Sequence, residues 1–157
     1  MKYNRLTKEQ FDSLHQEFIN FLATQTITAP EWESIKTKKP EVAEQELDVF
    51  SDLVWEGVLS KAKYLENISA QQLFLFCINE TEMQLIVVKV TNAEVDITSA
   101  EGYLWLQHNF ASDEVEFFTS TKVFSKDKNL DVFSLIQQGA VITNGELYQF
   151  FEKILNK

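Results

Sequence analysis

The chain of 157 residues is 45% hydrophobic and 13% aromatic, which is enough to fill the core of one domain and excludes an intrinsically disordered chain. Its formal net charge of −10 is concentrated between residues 41 and 120, which carry 15 acidic and 3 basic side chains. An acidic surface of this kind repels phosphate groups, so it disfavours nucleic acids and anionic membranes as partners.

The longest apolar run, residues 73–78, is far too short for a membrane span. The opening segment MKYNRLTKEQFD is too polar for a secretory signal. The single cysteine, Cys77, cannot form an internal disulfide, and its apolar neighbours predict a buried thiol. Together these features predict a cytoplasmic protein.

The N-terminal part of the chain has helical periodicity. The capping-box pattern TKEQ precedes an apolar stripe, which predicts one helix over residues 8–24 with a buried face. The pattern TAPE predicts a second, short helix that carries Trp32 inward. Residues 41–62 predict a long and mostly buried helix, in which Gly57 indicates a close crossing by another element.

The period then changes to that of strands. Residues 63–68, 72–79 and 83–90 predict three successive strands, which favours an antiparallel meander. The run LFLFCI lacks apolar–polar alternation, so the second strand is expected to be covered on both faces or to lie centrally under helices. A helix over residues 99–110 then leads to a fourth strand at 115–121.

Two helices complete the chain, one over residues 130–138 that stops at Gly139, and a last one capped by the pattern TNGE from Thr143. The predicted fold class is α+β, with N-terminal helices, a three-stranded antiparallel meander, a crossover helix, a fourth strand and two C-terminal helices. We expect a single domain over residues 1–157.

Several long segments carry a family resemblance: RLTKEQF, EFINFLATQTITAPEWE, PEVAEQELDVFSDLVWEGVL and IQQGAVITNGEL. Together they resemble an uncharacterised bacterial family of about this length, and the match covers nearly the whole chain. The resemblance implies a bacterial, cytoplasmic, single-domain protein of unassigned activity. It supplies no catalytic or binding residues.

Four acidic residues, Glu44, Asp48, Asp52 and Glu56, follow each other at steps of four and therefore form one ridge on the predicted helix. One interpretation makes the ridge a docking face for a partner with a basic surface, or a divalent-cation site. The other makes it the single hydrated strip of a buried helix, because charge on a helix is normally solvated.

Two weak patterns for a metal site fail on inspection. Asp12 and His15 have the spacing of a bundle metal site, but such sites need the element twice. The segment DKNLD imitates a calcium loop but lacks its glycine and final glutamate, so Asp127 or Asn129 is interpreted as a helix cap. No GxSxG motif or phosphate loop is present, and we predict no cofactor, metal or catalytic residue.

One enzyme hypothesis, a metal-dependent nuclease, has some support in the order of the predicted elements. The order helix, three strands, helix, strand is that of restriction-endonuclease-like nucleases, in which acids hold Mg²⁺ beside a lysine. Lys89 lies near the end of the third strand, but Val87 stands where that motif needs an acid. A metal-dependent phosphodiesterase therefore requires a displaced site, with at least two acids close to Lys89.

Aromatic side chains could also line a ligand pocket, although most are expected in the core. Tryptophan prefers positions that are partly exposed to solvent, so Trp32 and Trp105 are candidates for a groove or an interface. The leading hypothesis is a non-catalytic protein-binding or regulatory domain, with Asp48, Asp52, Glu56, Trp32 and Trp105 as interface residues. A small-molecule binder with an aromatic pocket is the remaining alternative, and assembly with further copies of the chain is compatible with the sequence.

Overall fold

The computed structural model describes residues 1–156, which contain seven helices and a five-stranded antiparallel sheet. The predicted α+β class and order of elements are therefore confirmed. The chain divides into two compact units, Met1–Ser60 and a second that begins at Lys61. The single domain over residues 1–157 stays a prediction. None of the described helices combines the length and the apolar character that crossing a bilayer requires.

The first unit consists of helices: α1 (Lys8–Ser13), α2 (His15–Thr24), α3 (Ala29–Lys38) and α4 (Pro40–Lys61). The two expected capping boxes are present. Thr7 accepts from the Gln10 amide before α1, and Thr28 accepts from the Glu31 amide before α3.

The prediction of a single helix over residues 8–24 is wrong. The helix is interrupted at Leu14, where φ is −106° and ψ is 25°. The Ser13 hydroxyl donates to the Gln10 carbonyl over 2.9 Å, and the Leu14 amide bonds both the Gln10 and Phe11 carbonyls. The Ser13 side-chain bond and the bond from Leu14 to Phe11, which spans only three residues, compete with the regular four-residue helical ladder. The break turns α1 and α2 into two separate elements of the first unit.

Two expectations for α4 are also wrong. The helix is not mostly buried, since Val49, Leu53 and Val58 are exposed. No described heavy atom lies within 4 Å of the position that a Cβ on Gly57 would take, so no element crosses there. The apolar positions of α4 were too evenly spread for the sequence to indicate which face is covered.

The second unit is built on the sheet, whose strands are β1 (Tyr64–Ile68), β2 (Gln72–Ile78), β3 (Glu82–Val90), β4 (Val115–Val123) and β5 (Val141–Thr143). The spatial order is β4-β3-β2-β1-β5, so the predicted meander is present and β2 is central. Leu73 and Leu75 are buried on one face of β2 and Phe76 and Ile78 on the other, which confirms coverage on both faces.

The remaining helices of this unit are α5 (Ala100–Asn109), α6 (Lys128–Gln137) and α7 (Glu146–Leu155). One face of the sheet packs against α5 and α7, where Leu106, Tyr148 and Phe151 join the buried strand residues in one core. The predicted cap of α6 at Asp127 is confirmed, since its side chain accepts from the Leu130 amide.

The last helix was predicted to begin with a cap at Thr143. That residue instead ends β5, a strand that the sequence did not indicate, and Gly145 takes the cap position with φ at +83°. A Cβ at Gly145 would fall into the Tyr64 ring, so this turn requires glycine for its conformation and for its space.

Candidate functional site

The acidic ridge (Glu44, Asp48, Asp52 and Glu56) is covered along α4 by the first residues of the chain. We call residues 2–6, KYNRL, the N-terminal strap. Every acid of the ridge accepts at least one hydrogen bond from the strap.

The contacts follow the ridge from one end to the other. The backbone amides of Lys2 and Tyr3 donate to the two oxygens of Asp52, over 2.8 and 2.9 Å. The Tyr3 hydroxyl donates to Glu56 Oε1 over 2.7 Å, and Lys2 Nζ lies 2.6 Å from the same oxygen. Asp52 and Glu56 therefore hold both the main chain and the side chains of the strap.

The other half of the strap is held by Arg5 and Leu6. Arg5 Nε donates to Asp48 Oδ1 over 2.8 Å, and its guanidinium also pairs with the Glu44 carboxylate. The Leu6 amide donates over 3.1 Å to the buried hydroxyl of Ser51. The steps of four in the ridge thus match successive donors along the strap.

The contacts with the ridge shift the pKa values of two strap residues, Arg5 and Tyr3. Hydrogen bonds to Asp48 and Glu44 raise the pKa of the Arg5 guanidinium above its ordinary value. Burial of the Tyr3 hydroxyl, followed by its hydrogen bond to Glu56, raises the pKa of Tyr3 to about 12. Tyr3 therefore stays a neutral hydrogen-bond donor to Glu56 until the pH approaches 12.

The sequence left two interpretations of the ridge, a hydrated strip and a docking face. In the structure the ridge is neither a bare hydrated strip nor an open docking face, because the strap covers it. A basic partner at Asp48, Asp52 and Glu56 would have to displace the strap or bind together with it. Sequence reasoning missed Lys2, Tyr3 and Arg5 as the groups opposite the ridge. The available signal was a pair of bases and an aromatic residue just before the first helix cap.

A second feature of the first unit is a cluster of aromatic rings from four helices. Phe18 lies at its centre, with ring centroids 5.0 Å from Phe50, 5.3 Å from Trp32 and 6.0 Å from Phe11. Edge-to-face arrangements of this kind are favourable contacts between rings. Of these four residues only Phe50 is buried, and the other three remain partly exposed.

The exposed side of this cluster forms a cavity of about 610 Å³, which we call the aromatic groove. Its apolar lining includes Phe11, Phe18, Ile19, Leu22, Trp32 and Leu47. Its charged rim contains Lys8 and Asp12 from α1 and Glu33 and Lys36 from α3. The rim balances two cations with two acids, so apolar contact dominates what the groove can recognise.

The other candidate residues are distributed over both units. His15 lines the aromatic groove together with Asp12, and no group of three His, Cys, Asp or Glu side chains within residues 1–156 is placed to hold a metal ion. Trp105 is half-buried and packs against the core of the second unit. Of the two candidate tryptophans, Trp32 is the one that lines the aromatic groove.

Lys89 is exposed on β3. The strand register places one acid, Glu116 of β4, directly opposite it, and Gln72 of β2 on its other side. A phosphodiesterase needs two or more acids around this lysine, so the arrangement gives that hypothesis no support.

A smaller cleft of about 240 Å³ lies in the second unit between α5 and α7, where Tyr103 and Phe150 are among its lining residues. Trp32 lines the aromatic groove and Trp105 lines neither cavity, so the two tryptophans named from the sequence do not converge on one pocket. The aromatic groove is the larger of the two cavities and the one with the more apolar wall.

Fold and site together define an α+β protein with a helical unit that carries an open apolar groove and a second unit built on a five-stranded antiparallel sheet. The chain belongs to a family of unknown function, DUF6495, whose model matches residues 1–156. This match confirms the resemblance to an uncharacterised family over nearly the whole chain. No curated protein and no solved structure matches it.

Proposed function

We propose that the protein is a non-catalytic protein-binding or regulatory domain that holds an amphipathic helical segment of a partner in the aromatic groove. The observation that carries the proposal is the incomplete burial of the ring cluster. Phe11 and Phe18 contact a buried ring, Phe50, and Trp32 packs edge-to-face on Phe18, yet all three residues stay partly exposed. Soluble chains rarely leave a contiguous apolar surface of this kind without a binding role.

The shape and chemistry of the groove support a helical occupant. An amphipathic helix presents apolar anchors at steps of three and four residues and inserts them into a groove of this type. The flanking charges of the helix would meet a rim that offers both signs, Lys8 and Lys36 beside Asp12 and Glu33. The net charge of −10 would speed the approach of a partner with a basic surface.

The test is a selection of peptides from a displayed library against the purified full chain. We expect enriched peptides with apolar residues at helical spacing. In direct titrations, Ile19→Asp should weaken their binding at least tenfold, because Ile19 is 43% exposed in the groove and a buried carboxylate is costly there. Leu53→Asp is the matched control, since Leu53 is 56% exposed on α4 outside the groove. Absence of enriched peptides, or equal losses in both variants, would contradict the proposal.

A small apolar molecule is the second candidate occupant, because about 610 Å³ is within the size range of small-ligand sites. A thermal-shift screen of metabolites separates the two. A compound that raises the melting temperature of the wild type but not of Ile19→Asp, in a protein that selects no peptide, would assign the groove to a small molecule.

We further propose that the protein works in the bacterial cytoplasm. The support is chemical: Cys77 is a single, half-buried thiol, and burial raises its pKa, so it stays protonated and unreactive in a reducing compartment. Fractionation of cells that express the chain at its native level checks this. Recovery from the periplasm or the medium would reject it.

A further inference from the structure

β4 forms one edge of the sheet, and its outer side is open. The strand is nine residues long and pairs only with β3 within the described sheet. Every residue of β4 except Val115 and Phe117 is exposed, with Phe118 at 52% and Val123 at 69%. A long exposed edge presents unpaired backbone donors and acceptors that can pair with another strand.

The hydrogen bonds at the two ends of the strand decide which residues point outward. The Thr91 amide donates to the Glu114 carbonyl, and the Phe124 amide donates to the Thr81 carbonyl. In an antiparallel ladder the bonded residues alternate, so the even-numbered residues of β4 bond to β3. The backbone groups of Phe117, Thr119 and Thr121 therefore face the open side.

We propose that two copies of the chain pair through β4, antiparallel and with a two-fold axis at Thr119, to form one continuous sheet. Thr119 then lies opposite Thr119 of the second copy, and Phe117 lies opposite Thr121. These residues all have outward backbone groups, so the three central pairs, Thr119 with Thr119 and Phe117 with Thr121 twice, form about six new main-chain hydrogen bonds. The two-fold axis at the middle of the strand uses all nine residues.

Charge complementarity selects this register. Glu116 falls opposite Lys122 of the second copy, and the symmetry creates the same pair a second time. These positions are non-hydrogen-bonded pairs, in which side chains approach most closely. Within residues 1–156 neither Glu116 nor Lys122 forms an ion pair, so both are available.

Neighbouring registers are less favourable. A shift of two residues places Glu116 opposite Ser120 and pairs Lys122 only with Glu114, which lies outside β4, and the opposite shift places Lys122 opposite Phe118. A lysine on an edge strand normally discourages pairing because it brings a charge without a counter-charge. Here the two-fold axis supplies that counter-charge. Phe118 and its symmetry mate become diagonal neighbours on the same face, which covers an exposed ring.

Sedimentation velocity of the full chain over a range of concentrations tests the interface. We expect the mass to rise from 18.2 kDa towards twice that value. Lys122→Glu should weaken dimerisation at least tenfold, because two attractive pairs become repulsive. The double variant Glu116→Lys/Lys122→Glu should restore it. Lys126→Glu is the matched control, since it makes the same charge change on an exposed residue beyond the strand. A wild type that stays monomeric, or a dimer that tolerates Lys122→Glu, would overturn the proposal.

Cysteine crosslinking in a Cys77→Ala background tests the register directly. Thr119→Cys places two thiols across the axis, where the Cα atoms of a bonded antiparallel pair are about 5.5 Å apart and suit a disulfide. In Thr121→Cys the two thiols belong to positions that are four residues apart along the strands, which is about 13 Å. Mild oxidation should therefore crosslink Thr119→Cys and leave Thr121→Cys monomeric. Equal crosslinking of both, or none at Thr119→Cys, would refute this register.

Discussion

Two glycines in helices have opposite surroundings. At Gly57 in α4, a Cβ would meet no described heavy atom within 4 Å. At Gly102 in the first turn of α5, a Cβ would fall on the backbone carbonyl of Asp96. That carbonyl is held in place by the Ser99 hydroxyl, which donates to it over 2.6 Å and also caps the helix.

Alanine substitution should therefore change stability in opposite directions. Gly57→Ala should raise the free energy of unfolding by about 1 kcal/mol, because it removes backbone entropy from the unfolded chain at no steric cost. Gly102→Ala should lower it by about 2 kcal/mol, because the loop at Asp96 has to move. Urea denaturation with an unchanged m-value measures both. Two variants of equal stability would contradict this view of the packing.

Sequence reasoning identified the helical penalty at Gly57 but assigned the wrong cause. It expected a crossing element at that position, whereas the close approach occurs at Gly102. The difference has a physical origin, since a glycine's neighbours depend on a loop path, here residues 96–99, that carries no periodic signal. Caps set by bonds three residues apart, such as those of Thr7, Thr28 and Asp127, were predictable for the opposite reason.

At the scale of elements, the N-terminal strap completes α4. The ridge of acids at steps of four was predictable from the sequence, but its partner was not. The donors lie between 39 and 54 residues away in the chain, and no local pattern links them. The sequence therefore indicated a charged face and left open whether an external partner, a cation or water would satisfy it.

The acids of the ridge should differ in their contributions to stability. Asp52→Ala should lower the free energy of unfolding by about 1–2 kcal/mol, because two backbone amides lose their acceptor. Glu44→Ala should cost about 0.5 kcal/mol or less, since its pair with Arg5 is exposed and screened. Chemical denaturation at low and high salt measures this, and only the Glu44 effect should fade with salt. Equal costs would show that the strap is not held by its main chain.

Stability at alkaline pH should report on Tyr3. Its pKa in the folded protein is about 12, above the ordinary value of 10, so its contribution is complete below pH 10. The contribution is lost as the pH rises from 10 through 12, when the phenolate forms beside Glu56. Burial also raises the pKa of Tyr148 to about 12, so that residue gives a second loss over the same range. Unfolding curves at pH 8 and 11 should differ less for Tyr3→Phe than for the wild type, and an unchanged difference would contradict the assignment.

For the whole molecule, the sheet of the second unit separates a protected centre from an open edge. The central position of β2 could be predicted, because a strand that is apolar on both faces needs cover on both. The pairing of β5 with β1 could not, since Val141–Thr143 is too short to show a period. The open side of β4 could not be predicted from the sequence either, because it depends on which residues of β4 bond to β3.

Amide hydrogen exchange should show the alternation along β4. In dilute protein the amides of Phe118 and Ser120, which bond to β3, should exchange at least tenfold more slowly than those of Thr119 and Thr121. Amides of β2 should be the slowest of the sheet, because that strand is central. NMR exchange measurements resolve these residues individually. Uniform rates along β4 at low concentration would rule out the assigned hydrogen-bond pattern.

The strap also has a consequence for how the chain is made. Its five residues are synthesised some forty to fifty positions before the acids that hold them. Until α4 has emerged, these contacts of Lys2, Tyr3 and Arg5 cannot form, so the strap docks only after its acidic ridge has been made. Docking of these residues therefore reports that translation has passed the end of the helical unit.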